Sequence, residues 1–491
     1  MPRLLPFVLV AGFVSLGCFR AAPEPVAEGE ARPDAPAPAP LVTTVEREVA
    51  VAPMPREAGE RELTNEDIGL DPKIEVTLPD IERVDKVPPV TVPDPVGVPN
   101  LDVTPLAPPL GGKGVGVGEL PGLGGDEPLP GNPFAGRTGA IKNKLIKQNG
   151  GNEESERAVA LGLSWLAKQQ NVDGSWEFDQ GSHKEQKACS TGLALLPFLA
   201  AGQTHKDRNA KYQKTVAAAV AFLQKQCTVA GANAGRLSTD AYCNGIAALA
   251  LIEAYAVTKD ATLKPHAQAA INYIQKTQGP NGSWGYTAST NGDTSIVGWQ
   301  VQALHAAQHA GLVVDNRAVA KVVKFLDTTA KGEKKSMYGY TDSAGAAPGT
   351  ALTAVGLLSR ASVDNWTAAT PGMADGVAGL MKNGPPAQGA VKNLYYYYYA
   401  TQVVFRYEGE QWTTWNEGPK QADGTRKGGM RDWLVSTQNK KAGDAVKQGS
   451  WDPEAGWLGQ GCGRLGTTAV CVLQLEVYYR YLPTAKKALE K

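Results

Sequence analysis

The 491-residue chain has no surplus of charge of either sign, with 49 Lys and Arg set against 49 Asp and Glu. Electrostatic nucleic-acid binders carry a basic excess, so that class is excluded. Cysteine is sparse: six residues, Cys18, Cys189, Cys227, Cys243, Cys462 and Cys471, with no CxxC pair and no Cys/His cluster at zinc spacing, while the five histidines are scattered. Linear spacing therefore offers no metal site, and no metal or other cofactor is expected. Tryptophan is absent and phenylalanine rare between about residues 20 and 135, a stretch that holds roughly two thirds of the 34 prolines. Such a segment cannot bury enough apolar surface to offset its ordering entropy.

Residues 19–138 are accordingly expected to form a disordered, partly polyproline II linker. A β-rich patch within it, "DPKIEVTLPDIERVDKV", contains two prolines and has no evident partner strand. Ahead of the linker stands "MPRLLPFVLVAGFVSLGC". Its apolar run, Leu4 to Gly17, follows Arg3 and is too short to span a bilayer, which is the pattern of a secretory leader over residues 1–18. Gly17-Cys18 resembles a lipobox, in which the cysteine becomes a lipidated N-terminus, although Ser15 stands where an aliphatic residue is usual. The alternative is an ordinary cleaved leader. Both readings export the chain to the periplasm or cell envelope; the first also anchors it in a membrane by a lipid on Cys18. Without Cys18 the cysteine count is odd, so at least one thiol is free or pairs between chains.

From about residue 153 the sequence becomes Ala-rich and repeats. Six segments share a helix, a Gly-containing loop and a second, more apolar helix. Trp165, Phe222, Tyr273, Phe325, Leu380 and Trp433 occupy equivalent places in the first helices, roughly 50 to 57 residues apart. The first helices carry Lys, Arg, Gln and Glu on one face, as outer helices do; the second are apolar nearly all round, as buried helices are. The last buried helix lacks the polar cap that an open solenoid needs, so six hairpins are expected to close into a ring with first and sixth in contact. The run Tyr395–Tyr399 falls in the fifth inner helix and is therefore helical; at about 100° per residue its rings point to every side, and each hydroxyl needs a partner. Closure would also bring Cys189, ahead of the first inner helix, and Cys462, ahead of the sixth, to one mouth as a disulfide candidate.

Three loops are more specific: Gln170-"NVD"-Gly174-Ser175-Trp176, Gln278-"GPN"-Gly282-Ser283-Trp284, and "KQGSW" ending at Trp451. They resemble the QW motif of squalene–hopene cyclases and the related repeats of protein prenyltransferase β subunits. With "GDTSIVGWQVQAL", "YYYYYATQVVF" and "WTTWNEG", they make about residues 155 to 485 similar to secreted bacterial proteins of the prenyltransferase/squalene-oxidase repeat type. The resemblance implies an all-α fold, an α/α toroid over residues 150–485, with isoprenoids as ligands of the central cavity. It does not bring the chemistry with it. No DxDD acid motif occurs. Asp240-Ala-Tyr-Cys243 departs from the DxC spacing of the prenyltransferase zinc site, and His305 and His309 have no Asp/Cys pair.

Asp240 and Asp293 each open an inner helix. They are read first as helix caps and second as general acids at the cavity mouth. Six inner-helix N-termini converging near Arg464 could favour an anion. Trp299, Tyr395, Tyr396 and Tyr399 would line the cavity. The chain is thus expected to bind an apolar or isoprenoid ligand. The alternatives are an isoprenoid cyclase or transferase with a non-standard acid, and a protein-interaction scaffold with a filled cavity; fold alone does not separate them.

Overall fold

The computed structural model describes residues 60–63, 76–79, 133–386 and 393–481. The leader, Cys18 and most of the expected linker lie outside these. Two short pieces of the linker pair as an antiparallel ladder, β1 (Glu60–Leu63) with β2 (Val76–Pro79), which supplies the partner strand that the proline-flanked patch lacked in the sequence.

The remainder is an α/α toroid. After α1 (Gly139–Gln148), six hairpins follow, each an outer and an inner helix: α2 (Glu153–Lys168) and α3 (Lys187–Ala200); α4 (Gln213–Gln226) and α5 (Ala241–Thr258); α6 (Lys264–Lys276) and α7 (Thr294–Ala310); α8 (Asn316–Thr329) and α9 (Ala351–Val363); α10 (Pro371–Met381) and α11 (Leu394–Tyr407). After a short α12 (Gly409–Glu417), the sixth hairpin pairs α13 (Met430–Thr437) with α14 (Trp457–Leu475), and α15 (Val477–Arg480) ends the described helices. A two-residue ladder, β3 (Ala330–Lys331) with β4 (Met337–Tyr338), decorates the fourth hairpin. Each inner helix packs against the next, and α14 packs against α3, so the ring is closed.

Local sequence explains the two barrels. Along α8 the buried residues Ala318, Val322, Phe325, Leu326 and Thr329 recur at helical spacing on one face, as an outer helix requires. Every residue of α5 from Tyr242 to Ala256 is buried, which is what apolar character on all sides predicts. Glycine lets inner helices approach closely: a Cβ on Gly192 would overlap the backbone of Ala247 on α5.

The loops that resemble the QW motif act as hairpin-to-hairpin ties. The Gln170 amide donates to Gly174 O (3.0 Å) and to Thr215 O of the second hairpin (2.9 Å). Gln278 likewise reaches Gly282 O (2.9 Å) and Ala318 O of the fourth (3.0 Å). Gln438 reaches Gly449 O (2.9 Å) and, across the seam, Ala158 O of the first (2.8 Å). The indoles of Trp176, Trp284 and Trp451 donate to Leu166 O, Ile274 O and Leu434 O at 2.7, 2.7 and 2.8 Å, pinning each loop to its own outer helix. The turn glycines Gly174, Gly282 and Gly449 have φ of +84°, +91° and +94°, and a side chain there would overlap the next outer helix. They satisfy a conformational and a steric demand together.

One mouth of the ring is sealed. The expected linker, drawn to residue 138, gives way earlier: Phe134 and Arg137 are already buried. Arg137 donates to Leu199 O (3.1 Å), to Arg480 O (3.0 Å) and to Glu253 Oε2 (2.8 Å). Arg480 and the Tyr481 hydroxyl complete the shell of Glu253 at 3.0 and 2.5 Å. Although burial opposes it, the two guanidinium charges lower the Glu253 carboxyl to about 2. Glu476, at the same mouth, differs. Both of its oxygens are buried without a hydrogen-bond partner, and burial raises its carboxyl well above the ordinary value, outweighing Lys142 and the arginines.

These two acids give opposite expectations. Glu253 contributes stability above the ordinary carboxyl value of 4.5 that is lost as pH falls toward about 2. Glu253→Gln should cost about 3–5 kcal/mol near neutrality, because it strands two buried guanidinium groups. Glu476, with a raised value, contributes stability at acidic pH that disappears as pH rises through that value. Glu476→Gln should therefore stabilise the protein by ~1 kcal/mol or more at neutral pH and give little benefit near pH ~4. Urea unfolding of both variants across this range checks the signs.

Candidate functional site at the open mouth

The other mouth is formed by the N-terminal ends of the inner helices. There the fold assembles a group that spacing did not reveal: one ligand atom each of His183, Asp240 and Cys243 lies within 4.8 Å of the others. Asp240 is the N-cap of α5, and its Oδ1 accepts from Cys243 N at 3.0 Å. An N-cap side chain folds back over the third helical residue, so Asp-x-x-Cys at a helix start brings carboxylate and thiol together without a DxC spacing. His183 arrives from the loop before α3, and its ring lies nearly parallel to Tyr242, 6.2 Å away.

A supporting layer fixes the group. Asn244 Oδ1 accepts from Leu237 N (2.8 Å) and Ser238 N (3.2 Å). Ser238 Oγ accepts from Asp240 N (3.1 Å) and donates to Gln186 Oε1 (2.8 Å). The Cys243 thiol is lowered, chiefly by a hydrogen bond with Cys189 and then by His183, against the effect of burial. The His183 imidazole is raised, chiefly by its hydrogen bond with Cys243. A depressed thiol beside an imidazole and a carboxylate is a donor set that suits zinc: sulfur, nitrogen and oxygen, three protein ligands and a fourth position left over. The expectation of no metal site rests on linear spacing, which does not show that a capped helix start and the loop before α3 bring these three side chains together. The pointer available in the sequence was Asp at an N-cap three residues before Cys; nothing in it singles out His183 among the five histidines.

The other expected site residues fall into place differently. Asp293 caps α7, accepting from Ser295 N (2.8 Å), Ile296 N (3.3 Å) and the Ser295 hydroxyl. Trp299 stacks on Tyr398 at 5.3 Å and meets Tyr399 edge-on at 5.8 Å. Tyr395 meets Tyr399 at 5.0 Å. These rings pack on one another along the ring axis, with Trp299 only 1% and Tyr399 0% exposed. Tyr396 faces the opposite way: its hydroxyl donates to Leu380 O (3.0 Å) on α10, so it does not line the axis. The helical rotation of consecutive residues is the reason. All five hydroxyls of the run find partners, the others being Ser295 O, Gly384 O and the Gln302 amide.

Arg464 does not offer a free cation to an anion. Its guanidinium donates to Ser450 Oγ (2.9 Å) and to the Asp452 carboxylate. It lines a cavity of about 230 Å³ together with two carboxylates, Glu177 and Asp179. Cys189 and Cys462 are both free thiols, as are the other described cysteines. Closure does bring them to the same mouth, but the Cys189 thiol is turned to Cys243 on the neighbouring helix.

No family model matches the chain, and no curated protein does. Among solved structures it is similar to the α-1,6-mannanase GH76A of a Salegentibacter species (11% identity, TM-score 0.44, covering 66% of this chain and 99% of that one). It is also similar to the GH76 α-mannanase of Bacteroides thetaiotaomicron (10%, 0.46, 68% and 98%). A third is a variant of the type II terpene cyclase MstE of Scytonema with bound geranylgeranyl dihydroxybenzoate (14%, 0.39, 69% and 99%). At these values the likenesses say nothing of activity.

The capping geometry makes one expectation concrete. Asp293→Ala should lower stability by about 1 kcal/mol, and Asp293→Asn by less, because asparagine is an equally good cap. Denaturant midpoints measure both. A loss several times larger would show that this buried carboxylate does more than cap.

Proposed function

We propose that this chain is an exported toroid that holds a zinc ion at its open mouth and presents it to an apolar ligand. The observation that carries the reading is the convergence of His183, Asp240 and Cys243 within 4.8 Å. Asp240 can use Oδ2 for the ion, since Oδ1 is engaged by the helix N–H. Cys243 gives up its thiol proton on binding, as every thiolate ligand does. When bound, zinc supplies a Lewis acid with one position open to a fourth donor.

The surroundings favour an apolar partner. Tyr242 lies against His183 and edge-on to Trp299 at 6.1 Å, and on the same mouth Tyr286 and Tyr340 are 51% and 43% exposed. An isoprenoid or other apolar chain would lie across these rings; to enter the ring axis it would have to displace the Trp299–Tyr398 stack. The leader and Cys18 support delivery outside the cytoplasm on a membrane tether, with the proline-rich segment as spacer. A filled axis also suits the scaffold alternative, and the metal separates the two.

Purified full-length protein should retain about one zinc per chain by elemental analysis, and cobalt substitution should give a thiolate-to-metal charge-transfer band. Cys243→Ser and His183→Ala should lose the band. Asp240→Asn is the sharper variant: it keeps a good helix cap, so stability should change by less than ~0.5 kcal/mol while zinc affinity falls 10-fold or more, on the order expected for a lost ligand. Protein that takes up neither zinc nor cobalt in titration would end the reading.

A further inference from the structure

We infer that a metal ion on His183, Asp240 and Cys243 also locks the ring at its seam. The inference rests on the proposed metal site and goes beyond it. Five of the six joints between neighbouring hairpins are crossed by the chain itself; the sixth, between α14 and α3, has no covalent crossing. At the open mouth this joint is held by the Gln438 tie to Ala158 O, by the Trp165 indole on Val446 O (2.7 Å), and, between the inner-helix starts, by the loop 178–183. Asp179 Oδ1 accepts from Leu465 N (3.0 Å) and Oδ2 from Arg464 N (3.1 Å). Gln180 Nε2 donates to Gly459 O (3.2 Å), and His183 N donates to Gly461 O (3.3 Å).

The reason Asp179 is needed lies in α14. At Gly463 the backbone turns to φ 61°, ψ −155° and breaks the helix, so a fresh helical start occurs at Arg464. Its first N–H groups have no partners within the helix. A carboxylate from a hairpin at the other end of the repeat caps them across the seam. The fit is close: side chains at Gly463 or Gly181 would overlap Asp179 or the Gly461 carbonyl.

The clasp itself is weakly anchored, because Asp179, Gln180, Gly181 and Ser182 are all exposed. His183 ends this loop, whereas Asp240 caps and Cys243 sits on α5, a helix buried from Tyr242 to Ala256 in a hairpin joined covalently to both its neighbours. An ion shared by the three ties the exposed clasp to that rigid helix. Metal occupancy would thereby govern how firmly the ring is shut.

Hydrogen exchange on the full chain tests this, comparing zinc-loaded with chelator-treated protein. The inference expects amides in 459–468 to exchange roughly tenfold more slowly with zinc, as local opening of the seam is suppressed. Amides inside α8 and α9, on the far side of the ring, should change little. By linkage, loosening the clasp must weaken the metal: Asp179→Ala, at a residue that is not a ligand, should lower zinc affinity roughly tenfold, and Asp179→Asn by less. If zinc binds one per chain yet the seam amides are unaffected, or all amides slow alike, or Asp179→Ala binds zinc as tightly as the parent, the seam lock is wrong while the metal site stands. If no metal binds, both are wrong.

Discussion

The structure depends on the tie between one hairpin and the next, in which a side-chain amide donates to its own turn and to a neighbouring outer helix. Two hydrogen bonds from one amide are individually modest. Their value lies in what they join: one amide fixes a carbonyl of its own turn to a carbonyl of the neighbouring outer helix. The glycine beside the amide must both turn the chain and admit the next helix, and the tryptophan covers the joint. Because Gln438 makes the same two bonds as Gln170 and Gln278, but reaches back to the first hairpin, the ring closes by the rule that builds it.

Closing the ring creates two mouths with different physics. At the inner-helix C-terminal ends, Arg137, Arg480 and Glu253 form a desolvated ion triad beneath the segment that begins at Phe134. Such a group contributes little net stability compared with an apolar plug, but it is intolerant of losing one member. At the N-terminal ends, caps and a trans-cap leave polar side chains half-exposed in one place. The donor cluster forms there because helix capping draws carboxylates to helix starts, and a toroid gathers six helix starts.

Periodicity carried a great deal. The outer and inner helices, their number, the helical nature of Tyr395–Tyr399 and the contact of first with sixth hairpin were all legible, because burial on one face or on all faces imprints a pattern on composition. Even the need of each tyrosine hydroxyl for a partner follows from the chemistry of a buried phenol. Which tyrosines face the axis was not legible. That depends on the rotation of α11 about its own axis, which turns Tyr396 away from the axis and onto Leu380 O of α10. Arg464 failed similarly: a cation near helix starts looks available until Asp452 and Ser450 are seen to hold it.

What the sequence by itself determined is the repeat: alternating helices with turn chemistry that permits only one way of joining them. What only the tertiary structure decided is which distant residues share a mouth. Asp240 and Cys243 are neighbours through a cap, which local sequence could show. His183 stands 57 residues before Asp240 and meets it because the first and second hairpins pack side by side; Arg464 stands 285 after Asp179, and that pair meets only because the ring closes, since no local pattern encodes an angle summed over six hairpins. The sealed mouth has the same origin, since Arg137 lies 343 residues before the Arg480 carbonyl it bonds. Local rules specify each joint, but a site or a seal built across the ring exists only after all the joints have been made.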